Sequence, residues 1–213
     1  DIKIGMTKDG TITAAKGDYR YQNGAYEAMN GTLGAMTGFA PYNLDHVKTV
    51  GWDVVTNRPK AAAYRAPGAP MAAFAVESVI DELAHKLGLD PIDVRLKNAA
   101  REGTKSAYGP TYPAIGLEAT LKAAKSHPHW SAPLGENQGR GMACGFWFNF
   151  GGDTCVSLMV NPDGTVSLSE GNPDIGGSRA AMSMMAAEEL GIPMERIRTI
   201  IADTAALGQN EVT

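Results

Sequence analysis

The sequence of 213 residues has little of several features that define whole classes of protein. It contains two cysteines, Cys144 and Cys155, and a single pair supplies neither a disulfide framework nor the thiolates of a metal cluster. No apolar run approaches the roughly 18 residues that cross a bilayer, and the first residues alternate instead of forming a signal peptide. We therefore expect a soluble protein of a reducing compartment, in the cytoplasm, or in the periplasm if the full-length protein has an export signal.

The sequence also lacks a large excess of positive or of negative charge. The 19 basic and 23 acidic residues give a net charge of -4, with no basic stripe, so we expect neither nucleic acid nor a membrane as partner. Hydrophobic residues make up 44% of the chain, which is enough for one large or two smaller cores. Both ends lie beside strand-like segments, residues 2–7 and 197–201, and we expect the chain to be a piece of a longer protein.

Periodicity and turn residues predict an α+β fold, with mixed sheets and hairpins and packed helices. The alternating segments around the Lys8-Asp9-Gly10 turn predict a hairpin. Further strands are predicted at residues 47–55, 165–171 and 197–201, and a second hairpin pairs residues 139–150 with 154–160. Helices are predicted at residues 69–87, 91–98, 117–125 and 178–190.

Breaker-rich sequence near residue 130 predicts two domains, residues 1–130 and 131–213. The strings KLGLDPIDVR and ELGIPMERIR echo each other across this boundary. The echo has two explanations, an ancient duplication or the chance recurrence of helix-Gly-Pro-helix punctuation.

Two glycine-containing turns are candidates for binding. In AAAYRAPGAP, Pro67 and Pro70 stiffen the backbone on either side of Gly68, which suits recognition by main-chain amides, although such a loop is often only the entry to a helix. The pair Gly176-Gly177 precedes a helix whose first N–H groups can bind an anion, although as a bare pattern it is weak and it is not a P-loop. The four histidines have no partners at metal-ligand spacing, and we expect no metal site from them; they are His46, His85, His127 and His129.

Residues 62–98, AAYRAPGAPMAAFAVESVIDELAHKLGLDPIDVRLKN, closely resemble a segment of the molybdenum hydroxylases, the xanthine dehydrogenase and aldehyde oxidase family. The same order of motifs adds the Asp9-Gly10-Thr11 turn, the string TNRPKAAAYR from Thr56 and residues 160–198, which begin VNPDGTVSLSEGNPDIGGSRAAM. The resemblance covers most of the chain. It implies the large, molybdopterin-binding subunit of such an enzyme, with residues 1–130 in a first cofactor-binding domain and residues 131–213 at the start of a second.

The resemblance also implies which residues meet the cofactor. Backbone at Arg65 and Ala66 faces the molybdenum centre, and Tyr64, Pro67 and Gly68 line the substrate pocket. The second cofactor contact falls on the turn of Gly176, Gly177 and Ser178. Gly177 stands where many members have glutamine, so one side-chain contact is missing, and main-chain contacts and the Ser178 hydroxyl remain.

The activity implied by the family is hydroxylation of a carbon centre with water as the oxygen source, with a glutamate as general base. The family places that glutamate downstream of this chain, so no catalytic residue is expected within it. Glu77 and Glu82 are interpreted as surface charges of a helix. Electrons pass to iron-sulfur clusters and FAD, which two cysteines cannot hold, so these centres belong to other domains or subunits. This fragment alone is therefore expected to be inactive.

Two departures from the family's sequence narrow the range of expected substrates. Pro67 replaces the phenylalanine of the xanthine-oxidising members, which argues against a purine because no ring stacks on it there. The loop also lacks the copper-binding cysteine of the carbon monoxide branch. An aldehyde or an aromatic N-heterocycle remains. The alternatives are a non-catalytic scaffold, or a degenerate homologue without cofactor, and, less well supported, a small-ligand binding module.

Overall fold

The computed structural model describes residues 1–148, 151–201, 203–205 and 207–210. The chain forms two compact units, Asp1–Trp147 and Phe148–Thr213, and each contains one three-stranded sheet. Sheets of mixed sense with packed helices confirm the α+β prediction. The assignment of residues 1–130 and 131–213 to two cofactor-binding domains stays a prediction. Within the described ranges, no helix combines the length and the apolar composition that a membrane span requires.

The first unit is built on a hairpin followed by a crossover. Its strands are β1 (Ile2–Met6), β2 (Ile12–Gln22) and β3 (Val47–Val54). β1 and β2 are antiparallel around the predicted turn, where Gly10 has a φ of 86°. β2 and β3 are parallel, joined through helix α1 (Asn30–Thr37). The sheet therefore presents one face to the helices, and the inward positions of β2, such as Ala15 and Tyr19, are buried.

Four further helices complete this unit, at or within one residue of the predicted bounds where a prediction was made. They are α2 (Ala69–Leu87), α3 (Pro91–Asn98), α4 (Leu117–Ser126) and the short α5 (Pro128–Ser131). Gly88 ends α2 in the left-handed conformation that glycine favours. The Asp90 side chain caps α3 by accepting from the N–H groups of Ile92 and Asp93. Buried residues of α2, including Val76 and Ile80, pack on the sheet.

The interpretation of Glu77 as a surface charge is wrong. Glu77 is buried, and its Oε2 lies 2.7 Å from Nε of Arg95, which is itself fully buried on α3. The Tyr42 hydroxyl and the backbone N–H of Cys144, at 2.7 Å, also donate to this carboxylate. Burial, followed by the negative charge of Glu77, raises the pKa of Tyr42 well above its usual value, so Tyr42 stays a donor. Glu82, by contrast, is exposed as expected.

The second unit contains β4 (Val156–Val160), β5 (Val166–Glu170) and β6 (Ile197–Ile200). β4 and β5 form an antiparallel hairpin, and β5 and β6 are parallel. Helix α6 (Ser178–Leu190) and a 3-10 helix (Met194–Arg196) connect β5 to β6. The predicted helix 178–190 is thus confirmed. The small core of the second unit contains Val166, Leu168, Ala187 and Ile197.

The predicted pairing of residues 139–150 with 154–160 is wrong for the described residues. Residues 141–148 contain no strand, and β4 pairs with β5 instead; Asn149 and Phe150 lie outside the described residues. The physical reason is that other groups hold this segment. The Cys144 N–H donates to Glu77, and the Phe146 ring packs against Tyr108 and Tyr112 with centroids 5.6 and 6.0 Å apart.

Candidate functional site

The loop that precedes α2 has a strained backbone. Arg65 and Ala66 have φ values of 31° and 52°, and Gly68 has a φ of 78°. Positive φ suits glycine, whereas for a residue with a side chain it costs on the order of 1–3 kcal/mol. Strain of this kind persists only where the surrounding structure enforces it, and it is concentrated at binding and catalytic sites. The geometry is therefore consistent with a functional role for the loop beyond starting a helix.

Contacts from α2 and the sheet hold this loop. The Ala69 N–H donates to the Ala66 carbonyl at 3.1 Å, and the Ala72 N–H donates to the Gly68 carbonyl at 3.2 Å. The Tyr21 hydroxyl, from β2, donates to the same Gly68 carbonyl at 2.7 Å. A Cβ at Gly68 would lie 2.2 Å from the Asn30 carbonyl oxygen, so only glycine allows the loop to approach α1 this closely.

The start of α1 under the loop is itself fixed by polar side chains. The Asp53 carboxylate on β3 accepts from the Gly31 N–H at 2.7 Å and from the Asn23 amide. The Asn30 amide donates to Asn23 Oδ1 at 2.8 Å. Sequence reasoning missed Tyr21, Asn30 and Asp53 because their contacts to α1 and the loop join distant parts of the chain.

Apolar side chains are exposed on and beside the loop. Tyr64 is 89% exposed, and Phe74 and Met71 on the first turns of α2 are 77% and 52% exposed. Single exposed apolar residues are common, but several around one strained loop are suited to contact an apolar or aromatic group. Sequence reasoning identified Tyr64 and missed Met71 and Phe74.

The glycine turn lies in the second unit, immediately before α6. Gly176 and Gly177 have φ values of 69° and 82°, and Gly177 is the N-cap residue. The position of a Cβ at Gly177 has no atom within 4 Å, so the space beside this backbone is open. A helix N-terminus with open space beside it suits an anionic group, since its first N–H groups and dipole favour negative charge.

Two neighbours of this turn are already engaged. The Ser178 hydroxyl donates to the Pro173 carbonyl at 3.1 Å, so in this structure it stabilises its own loop. The Arg179 N–H donates to the Asp174 carboxylate at 3.1 Å, and the Arg179 guanidinium lies 3.5 Å from the same carboxylate. Main chain at Gly176 and Gly177 is therefore the part of the turn that fits a ligand best.

Glu170, at the end of β5, contacts the segment that leads into the same turn. Its side chain is fully buried, and Oε2 accepts from the Asn172 N–H at 2.7 Å. Oε1 has no hydrogen-bond partner among the residues that the structure describes. A buried acceptor without a donor is costly, so Glu170 is poorly satisfied by its described surroundings.

A cavity of about 1250 Å³ lies in the first unit, and none of the predicted site residues lines it. Its walls come from α1, β3 and residues 101–109. Size alone does not identify a site.

Comparison with known proteins supports the expected family. The chain matches the molybdopterin cofactor-binding domain twice, over residues 1–99 and over residues 113–213. It is 31% identical to the putative xanthine dehydrogenase molybdenum-binding subunit XdhA of Escherichia coli, over 94% of this chain and 29% of that protein. It is 29% identical to the aldehyde oxidoreductase of Megalodesulfovibrio gigas, over 96% of this chain and 24% of that protein.

The fold gives the same result. The crystal structure of the aldehyde oxidoreductase from Desulfovibrio desulfuricans superposes with a TM-score of 0.75 at 27% identity, covering 98% of this chain and 25% of that one. The chain thus spans 24–29% of the length of these relatives. Two successive domain matches, together with sequence and fold similarity along almost the whole chain, show that it belongs to the molybdopterin cofactor-binding family of xanthine dehydrogenases and aldehyde oxidoreductases.

Proposed function

We propose that this chain is part of the molybdopterin-binding subunit of a molybdenum hydroxylase that oxidises an aldehyde or an aromatic N-heterocycle with water as the oxygen source. The observation that carries the proposal is the strained backbone at Arg65 and Ala66, in a segment that matches the family's cofactor-binding domain. Electrons then leave to iron-sulfur clusters and FAD in other domains or subunits.

The residues of the chain fit the cofactor in two places. In the first unit, the fixed main chain at Arg65 and Ala66 is suited to orient a metal centre and its ligands. In the second unit, the open backbone at Gly177, at the N-terminus of α6, is suited to a polar or phosphate group. When bound, the cofactor supplies the two-electron oxidation of the substrate.

The substrate class follows from the side chains around the loop. Pro67 offers no aromatic ring for stacking a purine, whereas exposed Tyr64 and Phe74 offer rings beside it. The relatives do not decide between classes, because the xanthine dehydrogenase subunit and the aldehyde oxidoreductase are almost equally similar, at 31% and 29%. The rings therefore favour an aldehyde with an apolar body or a flat heterocycle.

The general base is proposed to lie outside this chain. Glu77 is bound to Arg95 and Tyr42 in the core, so it cannot reach a substrate. Glu170 is fully buried. Neither glutamate is in a position to take a proton from water at an open site.

The test uses the full-length protein and has two stages. Elemental analysis should find molybdenum in the purified protein, and its absence would favour a scaffold or a degenerate homologue. Pro67→Gly should then lower kcat per bound molybdenum by about tenfold, because small misplacement of groups at a reacting centre is costly in rate. The same change should reduce folding free energy by only about 0.4–1 kcal/mol.

Pro133→Gly, in an exposed loop that contains no predicted site residue, is the matched control: it should cost a similar amount of folding free energy, about 0.4–1 kcal/mol, and leave kcat per bound molybdenum near its wild-type value. Unchanged activity per molybdenum in Pro67→Gly, with a lower melting temperature, would mean that the loop is only a structural entry to α2.

A further inference from the structure

Two tyrosines of β2 occupy equivalent positions but make different contacts. Tyr19 and Tyr21 are two residues apart, so both point to the face of the sheet that α1 covers. A Cβ at Gly38 would lie 2.2 Å from the Tyr19 hydroxyl, and a Cβ at Gly34 would lie 2.3 Å from the Tyr21 hydroxyl. The Tyr21 ring thus fits against Gly34 of α1, and the Tyr19 ring fits against Gly38, the C-cap residue of α1, about one helical turn further on.

The hydroxyl groups distinguish the two residues. The Tyr19 hydroxyl is buried and has no hydrogen-bond partner in the described part of the chain. The Tyr21 hydroxyl donates to the Gly68 carbonyl at 2.7 Å and so ties the sheet to the loop of residues 64–68. A tyrosine is required for this contact, since a phenylalanine would fill the same space against Gly34 without reaching the carbonyl as a donor.

Protonation keeps this contact in place. Burial, followed by the negative charge of Asp53, raises the pKa of Tyr21 to about 12. Asp53 in turn accepts from the Gly31 N–H of α1 at 2.7 Å. The hydroxyl therefore remains a donor at neutral pH, and no proton transfer is assigned to it.

The position of Gly68 explains why this one contact matters. Gly68 follows the strained residues Arg65 and Ala66 by three and two positions, and Pro67 makes the connection stiff. Its φ of 78° and its close approach to the Asn30 carbonyl leave little freedom on the α1 side. Fixing the Gly68 carbonyl therefore limits the conformations that Arg65 and Ala66 can adopt.

We propose that Tyr21 is a positioning residue, whose hydrogen bond to Gly68 holds the backbone of Arg65 and Ala66 in the geometry that the cofactor and substrate require. This inference rests on the proposed function, because it assigns Tyr21 a role at the same site. Tyr21 does not itself touch the reacting atoms and acts through the loop.

The experiment compares Tyr21→Phe with Tyr19→Phe in the full-length enzyme. Each variant loses one hydroxyl from the same face of the same strand, so Tyr19→Phe controls for the effect of that loss. Hydrogen exchange of the peptide spanning residues 61–74 reports loop order without reference to activity. We expect the amides of Ala69 and Ala72, which donate to the carbonyls of Ala66 and Gly68, to exchange about fivefold faster in Tyr21→Phe, as loss of one hydrogen bond predicts, and to be unchanged in Tyr19→Phe.

Kinetics then separate positioning from folding. Tyr21→Phe should lower kcat per bound molybdenum by about three- to tenfold with a smaller change in KM, because misplacement acts on the reacting geometry. Melting temperature should fall slightly in Tyr21→Phe, which loses a hydrogen bond, and should not fall in Tyr19→Phe. Equal exchange in the two variants would overturn the inference. Faster exchange in Tyr21→Phe with unchanged kcat per molybdenum would also overturn it, since the loop would then move without consequence for the reaction.

Failure of the proposed function gives a different result. If the wild-type enzyme contains no molybdenum, the proposed function falls before any variant is compared. The hydrogen-exchange comparison still measures whether Tyr21 orders the loop, so the two failures cannot be confused.

Discussion

The two sheets are constructed alike but buried differently. In each, an antiparallel hairpin with an Asp-Gly-Thr turn is followed by a helical crossover to a parallel third strand. In the first unit, both α1 and α2 pack on the sheet. In the second, α6 packs on the sheet and all five residues of β4 remain exposed, among them Leu158 and Met159. Local sequence sets strand order, whereas burial depends on how many other elements cover the sheet.

The similar strings KLGLDPIDVR and ELGIPMERIR do not lie at equivalent positions in the two units. Gly88 and Gly191 both end a helix, with φ values of 67° and 65°. However, α2 follows the third strand of its sheet, whereas α6 lies between the second and third strands. The two strings therefore occupy different topological positions, which favours recurrent helix punctuation as their explanation.

The largest expected difference between the units comes from their buried glutamates. Glu77 in the first unit has Arg95, Tyr42 and a backbone N–H as partners, whereas Glu170 in the second has one N–H. Glu77→Gln should reduce the unfolding free energy of the first unit by about 3 kcal/mol, because it leaves Arg95 buried without its main counter-charge. Hydrogen exchange of α2 and α3 peptides measures this locally.

Glu82→Gln is the matched control, since Glu82 lies on the same helix with its side chain 69% exposed. It should change stability by less than about 0.5 kcal/mol. Equal effects of the two substitutions would mean that the Glu77 network contributes nothing beyond helix propensity, and that the two units are held in the same way.

Glu77 also shows where sequence reasoning succeeds and fails. The bounds of α2 were predictable because Gly68, Pro70 and Gly88 are local signals at its ends. The burial of Glu77 was not predictable, because its partner Arg95 lies 18 residues away and a charged glutamate is normally expected at the surface. The failure at residues 141–148 has the same origin, since the partners of Cys144 and Phe146 lie far away in sequence.

The candidate site likewise has one part that the sequence predicts and another that it does not. The family resemblance and the stiff Pro67-Gly68 sequence pointed to the loop, and the structure adds that Arg65 and Ala66 have positive φ. The hydrogen bond from Tyr21 to Gly68 spans 47 residues and could not be read from local pattern. Residues that form a loop are thus more predictable than those that hold it.

Glu170 provides the second, smaller test of the comparison. Its Oε1 is fully buried and lacks a partner within the described ranges, so the carboxylate is poorly compensated there. Glu170→Gln keeps an oxygen to accept from Asn172 and removes the charge, and we expect the stability of the second unit to rise by about 1 kcal/mol. Hydrogen exchange of β5 measures the change. A loss of stability as large as that in Glu77→Gln would show that the two carboxylates are equally well compensated.

The smallest expected effect concerns the two hairpin turns, which differ in what their aspartates contact. The hydrogen bond from Lys97 on α3, followed by that from Thr7, lowers the pKa of Asp9 below its usual value. The pKa of Asp163 is lowered first by the Thr165 hydroxyl, which is local. Carboxyl titration by NMR should therefore show that Lys97→Met raises the pKa of Asp9 and leaves that of Asp163 unchanged, while Thr165→Val does the reverse.

The sign of the pH effect follows from these lowered values. A carboxyl whose folded-state pKa is depressed contributes stability above its unfolded pKa, near 3.9 for Asp, and loses it as pH falls through the lower folded value. Both turns should therefore weaken only in acid, and Lys97→Met should reduce this acid dependence in the first turn alone. If Lys97→Met leaves the pKa of Asp9 unchanged, the first turn is as local as the second, and the contrast between the units is confined to their cores.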